Sequence, residues 1–186
     1  MEHPQNLQDV FCYCPQCGNG PSPTVPSAVG PFSCAECGFV LYFGPRVAVG
    51  ALVFDANQRL LFIRRNRDPG KGKLGLPGGF VDPGEGVEEA TIREVAEEVS
   101  LEVTNLEYLC SAPNIYTYKG ISLPVADVFF VCQVKATDHA IPEQHEISEC
   151  FFAELTSHHI RQMAFSSNQS ALEYYLAQGS RGPSSC

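Results

Sequence analysis

The chain has no tryptophan, and its 12 basic residues are far outnumbered by 21 acidic ones. It also has no apolar run near the roughly 20 residues a membrane-spanning helix needs. A formal charge of −9 argues against nucleic acid or an anionic membrane as a partner through bulk electrostatics. Anionic small molecules stay open where cations mediate the contact. The start, Met1 to Val10, is polar and mildly acidic and lacks the basic-then-apolar order of a signal peptide. A cytoplasmic location is expected, where disulfides are rare, so nine cysteines call for another explanation. At 44% hydrophobic and 18% charged residues the composition is that of a folded globular protein.

Three zones divide the 186 residues. Residues 1–44 are rich in Cys, Pro and Gly, with a turn-filled centre at Gly18-Asn-Gly-Pro-Ser-Pro. Residues 45–178 alternate strand-like and helix-like patterns. The tail 179–186 has the composition of a disordered end. Within the middle zone, Val47–Phe54 and Arg59–Arg64 read as a hairpin around Asp55–Gln58. A glycine-rich loop, Asp68–Gly86, leads into a helix over Val87–Val99. Strands are predicted around Leu101–Cys110 and Val125–Val134, and a last helix over Asn168–Ala177, N-capped by Ser166 or Ser167. Strands mixed with separated helices predict an α/β fold with a mixed sheet.

Five of the cysteines fall between Cys12 and Cys37. Four have the spacing Cys14-x2-Cys17-x16-Cys34-x2-Cys37, with Gly18 and Gly38 following the pairs. Two such pairs place four thiolates on two tight turns, which suits tetrahedral zinc. Four cysteines leave no open position for a substrate, so the zinc is expected to be structural. A module of about 40 residues also has too little core to fold well alone. Cys12 is read as a neighbour rather than a ligand. The module resembles a zinc ribbon.

The segment from Gly79 to Leu101 concentrates acids. On a helix, Ile92, Val95, Ala96 and Val99 would form the apolar face. Glu94, Glu97 and Glu98 would cluster roughly opposite. Like charges at i, i+3 and i+4 cost about 0.2–0.5 kcal/mol per pair, a repulsion that hard divalent ions would offset. The Gly79 carbonyl can reach the same site, and the amides at the helix start suit a phosphate. Arg93, four residues from Glu89 and from Glu97, can orient a carboxylate.

The whole pattern, Gly-x5-Glu-x7-Arg-Glu-U-x-Glu-Glu-x-Gly-U with U aliphatic, is the signature of the Nudix hydrolases. This chain carries it from Gly79 through Glu85, Arg93, Glu94, Glu97 and Glu98 to Leu101, departing only at Ser100. The departure bears on a left-handed helix cap rather than on a ligand. Lys71-Gly-Lys-Leu-Gly-Leu-Pro-Gly-Gly-Phe80 resembles the family's lead-in. Ribbon first and core second is similar to the ribbon-bearing members, which include NADH pyrophosphatases and enzymes acting on ADP-ribose or FAD. Ala164-Phe-Ser-Ser167 looks like some of the same members.

The resemblance implies a Nudix-type α/β/α sandwich behind the ribbon and hydrolysis of a phosphoanhydride by water. It implies Mg²⁺ or Mn²⁺ on Glu94, Glu97, Glu98 and the Gly79 carbonyl, with Glu98 as first choice of base. Glu85 and Arg93 would hold loop and helix. Glu149 matches a downstream position supplying a further ligand or base, with Glu143 and Glu146 as weaker candidates. Arg64, Arg65, Lys71 and Lys73 are candidate phosphate contacts, and Tyr116 and Tyr118 candidate stacking partners for a base. NADH pyrophosphatases carry a Ser-Gln-Pro-Trp-Pro-Phe-Pro-type stretch where this chain has Ser111-Ala-Pro-Asn-Ile-Tyr, which argues against dedicated NADH hydrolysis. ADP-ribose, FAD or a related dinucleotide is preferred, and damaged nucleoside triphosphates stay open. Many relatives of this kind form homodimers, which nothing in the sequence decides here. The rival reading is a nucleic-acid- or nucleotide-binding regulator on an inactive scaffold. A P-loop is excluded because no Gly-Lys-Ser/Thr follows Gly70-Lys-Gly-Lys-Leu-Gly.

Overall fold

The computed structural model describes residues 5–6, 11–20, 31–137 and 139–179. The tail beyond Gly179 and residues 21–23 of the turn-filled centre lie outside them. Two units emerge: Met1–Pro45 with Ile115–Pro124, and Arg46–Asn114 with Val125–Cys186. Among the described residues no helix is long and apolar enough to cross a membrane.

The first unit holds two cysteine turns and little regular structure. Strand β1 (Gln5–Asn6) pairs in parallel with Ile121–Ser122, and β2 (Phe32–Ser33) pairs antiparallel with β3 (Val40–Leu41). Its apolar filling is aromatic: the Phe11 ring meets Phe43 edge-on at 5.0 Å between centroids and lies tilted at 6.3 Å from Phe32.

The second unit contains β4 (Arg46–Val53), β5 (Leu60–Arg65), β6 (Leu74–Gly75), α1 (Val87–Val99), most of β7 (Val103–Tyr118) and β8 (Ile121–Val134), β9 (Ile147–Ala153), α2 (Ser157–Arg161) and α3 (Ser166–Ala177). β4 runs parallel to β8 from Arg46↔Val125 to Val53↔Cys132. β7 and β8 form one long hairpin whose turn is Lys119-Gly120, both at positive φ (49° and 80°), the geometry that matches strand twist. A separate antiparallel sheet runs β6-β5-β9.

Side-chain alternation sorts the core into two layers. Leu52, Ala112 and Phe129 face Ala171, Leu172 and Tyr175 of α3. Ala51, Val53, Phe130 and Cys132 face Val95 and Val99 of α1. Helices therefore cover both faces, an α/β/α sandwich with a mixed sheet.

Several expectations need correction. The runs on either side of Asp55–Gln58 do not form a hairpin. The turn closes, with the Asp55 carboxylate accepting from the Asn57 and Arg59 amides at 2.9 and 2.8 Å. The strands then part after one bridge, Phe54↔Leu60. Leu60, Leu61, Phe62 and Ile63 are all buried, so β5 needs cover on both faces and finds its partners in β6 and β9. Strands β7 and β8 also extend beyond their predicted bounds, through Pro113 and Pro124. Strand β9 and the short α2 were not anticipated.

The predicted apolar face of α1 is rotated. Ile92 is 43% exposed and Ala96 is also exposed, while Thr91, Val95, Glu98 and Val99 are buried. Thr91 hides its hydroxyl by donating to the Val87 carbonyl at 2.7 Å, and a carboxylate takes a place that pattern reading reserves for an apolar side chain. Helix α3 begins at Ser166, with Phe165 as N-cap and no side-chain cap. Ser167 is not a cap; it is drawn into the buried face that continues through Ala171 and Leu172.

Ser100 ends α1 in the left-handed conformation (φ 57°, ψ 31°), its amide donating to Ala96 O at 3.1 Å. A side chain there costs about 1–2 kcal/mol that glycine avoids. Ser100→Gly should raise the thermal midpoint, by up to about 1 kcal/mol of stability after glycine's own entropy cost; a lowered midpoint in calorimetry would contradict this account of the cap.

Candidate active site and cysteine cluster

The loop before α1 is fastened to β4. Three backbone hydrogen bonds, Val81 N to Val47 O, Val49 N to Gly79 O and Ala51 N to Pro77 O, span 2.8–3.1 Å. They press residues 77–81 against the strand, where side chains have no room. A Cβ on Gly78 (φ 148°) would overlap the Val49 carbonyl, and one on Gly79 would overlap the Glu94 carboxylate.

Arg93 joins this loop to the helix. Its guanidinium donates to Glu85 (2.5 and 3.1 Å), Glu94 (2.8 Å), Glu97 (3.2 Å) and the Phe80 carbonyl (3.1 Å). Glu85, ahead of all other partners, raises the Arg93 pKa, and Arg93 in turn holds Glu85 below the usual carboxylate range. Glu85 also accepts from the Asp82 amide at 2.7 Å. The expected partner Glu89 instead accepts from Gly86 N at 2.9 Å, the half of a capping box that a glycine N-cap allows.

Glu98 points into the protein, 6% exposed, and accepts from Gly78 N at 2.8 Å. Burial pushes its carboxyl up to about 8, with the nearby charges of Glu94 and Glu146 adding to the rise and Gly78 opposing it. Glu94 is also raised, first by burial, while Arg93 opposes the shift. Glu97 stays largely exposed.

Downstream, Glu149 is ion-paired with Arg64 at 2.6 Å, and Arg64 also donates to Gly72 O at 3.1 Å. The charge that bears on both Glu94 and Glu98 comes from Glu146, which pairs with Arg67. Glu143 accepts from the Glu146 amide at 3.0 Å. Glutamates recur every three residues from Glu143 to Glu149, and the resemblance puts Glu149 ahead of Glu143 and Glu146. Arg65 donates to Pro69 O and lies over the Phe165 ring, 4.9 Å from its centroid. Lys71 and Lys73 are exposed on the turn before β6, and Tyr116 and Tyr118 lie in the other unit.

Among the described residues, one cluster of Cys, His, Asp or Glu brings all its ligand atoms within 4.8 Å of one another: Cys14, Cys17, Cys34 and Cys37. Each pair sits on the same turn. Gly18 N donates to Cys14 O and Gly38 N to Cys34 O, at 2.9 and 3.0 Å. The Cys14–Cys37 and Cys17–Cys34 sulfurs are 3.7 and 3.6 Å apart, close to the tetrahedral edge of about 3.8 Å that zinc–sulfur bonds of about 2.3 Å produce. The backbone amide of Cys37 leads in holding Cys34 down to about 7. Cys37 is pushed up to about 12 despite an opposing hydrogen bond to the Phe39 backbone, by burial and the other sulfurs. Four sulfurs this close suit a shared cation.

A helix-flanked mixed sheet with a glycine loop locked to a carboxylate helix defines the class. A sequence model of the NUDIX domain matches residues 44–173, and the chain belongs to the Nudix family. It is 43% identical over 76 residues to an ADP-ribose pyrophosphatase of Methanocaldococcus jannaschii, covering 40% of this chain and 44% of that protein. It is 34% identical over 99 residues to the NAD-capped RNA hydrolase NudC of Pseudomonas fluorescens, covering 53% and 34%. The chain thus spans less than half the length of these curated relatives. A crystal structure of a NUDIX hydrolase from Nitrosomonas europaea superposes with a TM-score of 0.66 at 23% identity, covering 91% of this chain and 93% of that one, a likeness of fold.

Because burial raises the Glu98 carboxyl, its charged form is disfavoured in the folded protein. Its stabilising effect is complete below about pH 4.5 and is lost as pH rises toward 8. In metal-free protein Glu98→Gln should therefore melt at a higher temperature than wild type at pH 8.5, with the gap narrowing at pH 5. Parallel melting curves for the two proteins across that range would count against the buried carboxylate.

Proposed function

We propose that the chain is a divalent-metal-dependent hydrolase cutting the pyrophosphate bond of a nucleoside diphosphate linked to another moiety, with ADP-ribose, FAD or a related dinucleotide preferred. The observation that carries this reading is the pair Glu94 and Glu98, half-buried and buried, held against the Gly78–Gly79 loop by Arg93 and the Gly78 amide. Desolvated carboxylates at that density fit a hard cation.

Glu94, Glu97, Glu98, Glu149 and the Gly79 carbonyl are the proposed holders of Mg²⁺ or Mn²⁺. The Gly79 oxygen accepts one backbone hydrogen bond and has a second lone pair to offer. Bound there, the ion would neutralise phosphate oxygens and acidify a water. Water oxygen bonds to one phosphorus as the bridging P–O bond breaks. Glu98 takes the water proton as general base, and the departing phosphate carries away the bond electrons. Glu85 and Arg93 keep Glu94 and the loop in place. Arg64, Lys71 and Lys73 lie on strand and turn at the exposed end of β5 and are proposed to meet substrate phosphates. The four cysteines are proposed to hold a structural zinc.

Purified protein with Mg²⁺ or Mn²⁺ should release AMP from at least one of ADP-ribose, FAD, NADH, NAD or a diadenosine polyphosphate, and Glu98→Gln should lose at least about 100-fold in kcat. No turnover by folded, metal-supplied protein would move the weight to a binding scaffold. Metal analysis should give about one zinc per chain, lost in Cys37→Ser; equal zinc content in the two proteins would remove the ribbon assignment.

A further inference from the structure

On the α3 side of the sheet, polar groups gather where an apolar core is expected. Asp127 on β8 is 7% exposed and Asn114 on β7 is 9% exposed; Asn114 Nδ2 donates to Asp127 Oδ2 at 3.0 Å. From the first turn of α3 comes Ser167, 1% exposed, whose Oγ is a buried polar atom with no hydrogen-bond partner. Asn168 beside it is buried as well. Burial raises the Asp127 carboxyl, and Ser167 and Asn114 oppose that rise; the serine hydroxyl stands near the carboxyl without completing a bond. A buried hydroxyl left without a well-formed hydrogen bond destabilises the fold, and a core serves no purpose in keeping one.

The register places this cluster beside the loop already described. Asp127 pairs with Ala48, and Ala48 is bridged on its other side by Phe80. Directly paired residues present their side chains to the same face. A ring, a methyl group and a carboxylate therefore stand in a row, about 10 Å from end to end at two strand spacings. Ala48 has strands on both sides yet is only partly buried, as is Phe80, so this stretch of the sheet is not roofed by α3. The row runs from the Phe80 ring, with the Arg46 guanidinium over it at 5.8 Å from the centroid, to the buried Asp127, and Phe80 follows Gly79 directly.

We propose that Asp127, Ser167 and Asn114 recognise the nucleobase of the substrate, reading an amino group next to an unprotonated ring nitrogen, the edge that adenine presents. Asp127 accepts from the amino group and the Ser167 hydroxyl donates to the ring nitrogen, while Asn114 fixes the carboxylate. The flat heterocycle rests on Ala48 against Phe80. Hypoxanthine presents a carbonyl where the amino group stood, which the Asp127 carboxylate repels, while the Ser167 hydroxyl can turn to accept from its ring N–H. This assignment rests on the nucleotide-hydrolase reading for its ligand class and adds the residues that choose the base.

Equilibrium binding of AMP and IMP, read by calorimetry without turnover, tests it. Wild type should favour AMP by about 10-fold or more, as for a hydrogen bond to a charged group. Asp127→Asn, whose amide can donate to a carbonyl, should swing the ratio toward IMP. Ser167→Ala should melt no lower than wild type, since it removes an unpaired buried hydroxyl, and should weaken AMP about 3- to 10-fold. Equal affinity of wild type for AMP and IMP, or AMP binding that is not weakened in Ser167→Ala, overturns the proposal even if Asp127→Asn fails to fold. AMP preference without hydrolysis would remove the enzyme reading and leave base recognition standing, and hydrolysis indifferent to the base would do the reverse.

Discussion

The site depends on the guanidinium of Arg93. It reaches from the middle of α1 to the loop on one side and to carboxylates of its own helix on the other. Glutamates so close on one helix repel each other, and without a cation to share, the helix would shed them toward water. Arg93 supplies a fixed positive charge inside the protein, in fork geometry that orients Glu85 and Glu94 as well as neutralising them. Lysine would match the charge and lose the orientation.

That arrangement concentrates electrostatic stress in one place. Glu98 is buried with one amide contact and two like charges nearby. The folded chain tolerates this because Val95 and Val99, fully buried on the same helix, each contribute about 1.5–3 kcal/mol by burial. Packing thus anchors the helix while its polar groups are held in a state that they would not choose.

Much of this was legible in the sequence. The spacing of Gly79, Glu85, Arg93, Glu94, Glu97 and Glu98 located the helix to the residue, and the paired cysteine turns announced their cluster, because each follows a local rule of spacing. What local rules cannot reach was misread. The face of α1 was rotated because Glu98 is buried for its chemistry, against its polarity. The strands around Asp55 were joined because turn chemistry was visible and the long-range partners β8 and β9 were not. The downstream glutamates were ranked by resemblance alone, with Glu149 first; only the fold shows Glu149 paired with Arg64 and the charge of Glu146 bearing on Glu98. Asp127 and Asn114 passed unnoticed among apolar neighbours for the same reason.

The segment 77–81 has no strand of its own, yet it is bonded along β4 by three backbone contacts, inside a strand whose residues 49–53 are all buried. Local unfolding frees amides in cooperative units, so the amides of Val49, Ala51 and Val81 open with the sheet rather than with the surrounding loop. In hydrogen exchange this stretch would protect like core, while the exposed turn around Lys71 and Lys73, closed by local bonds such as Lys73 N to Gly70 O, would exchange sooner. The segment whose Gly78 amide meets Glu98 is therefore tied to the sheet, and any adaptation to ligands of different size falls to the turns around it.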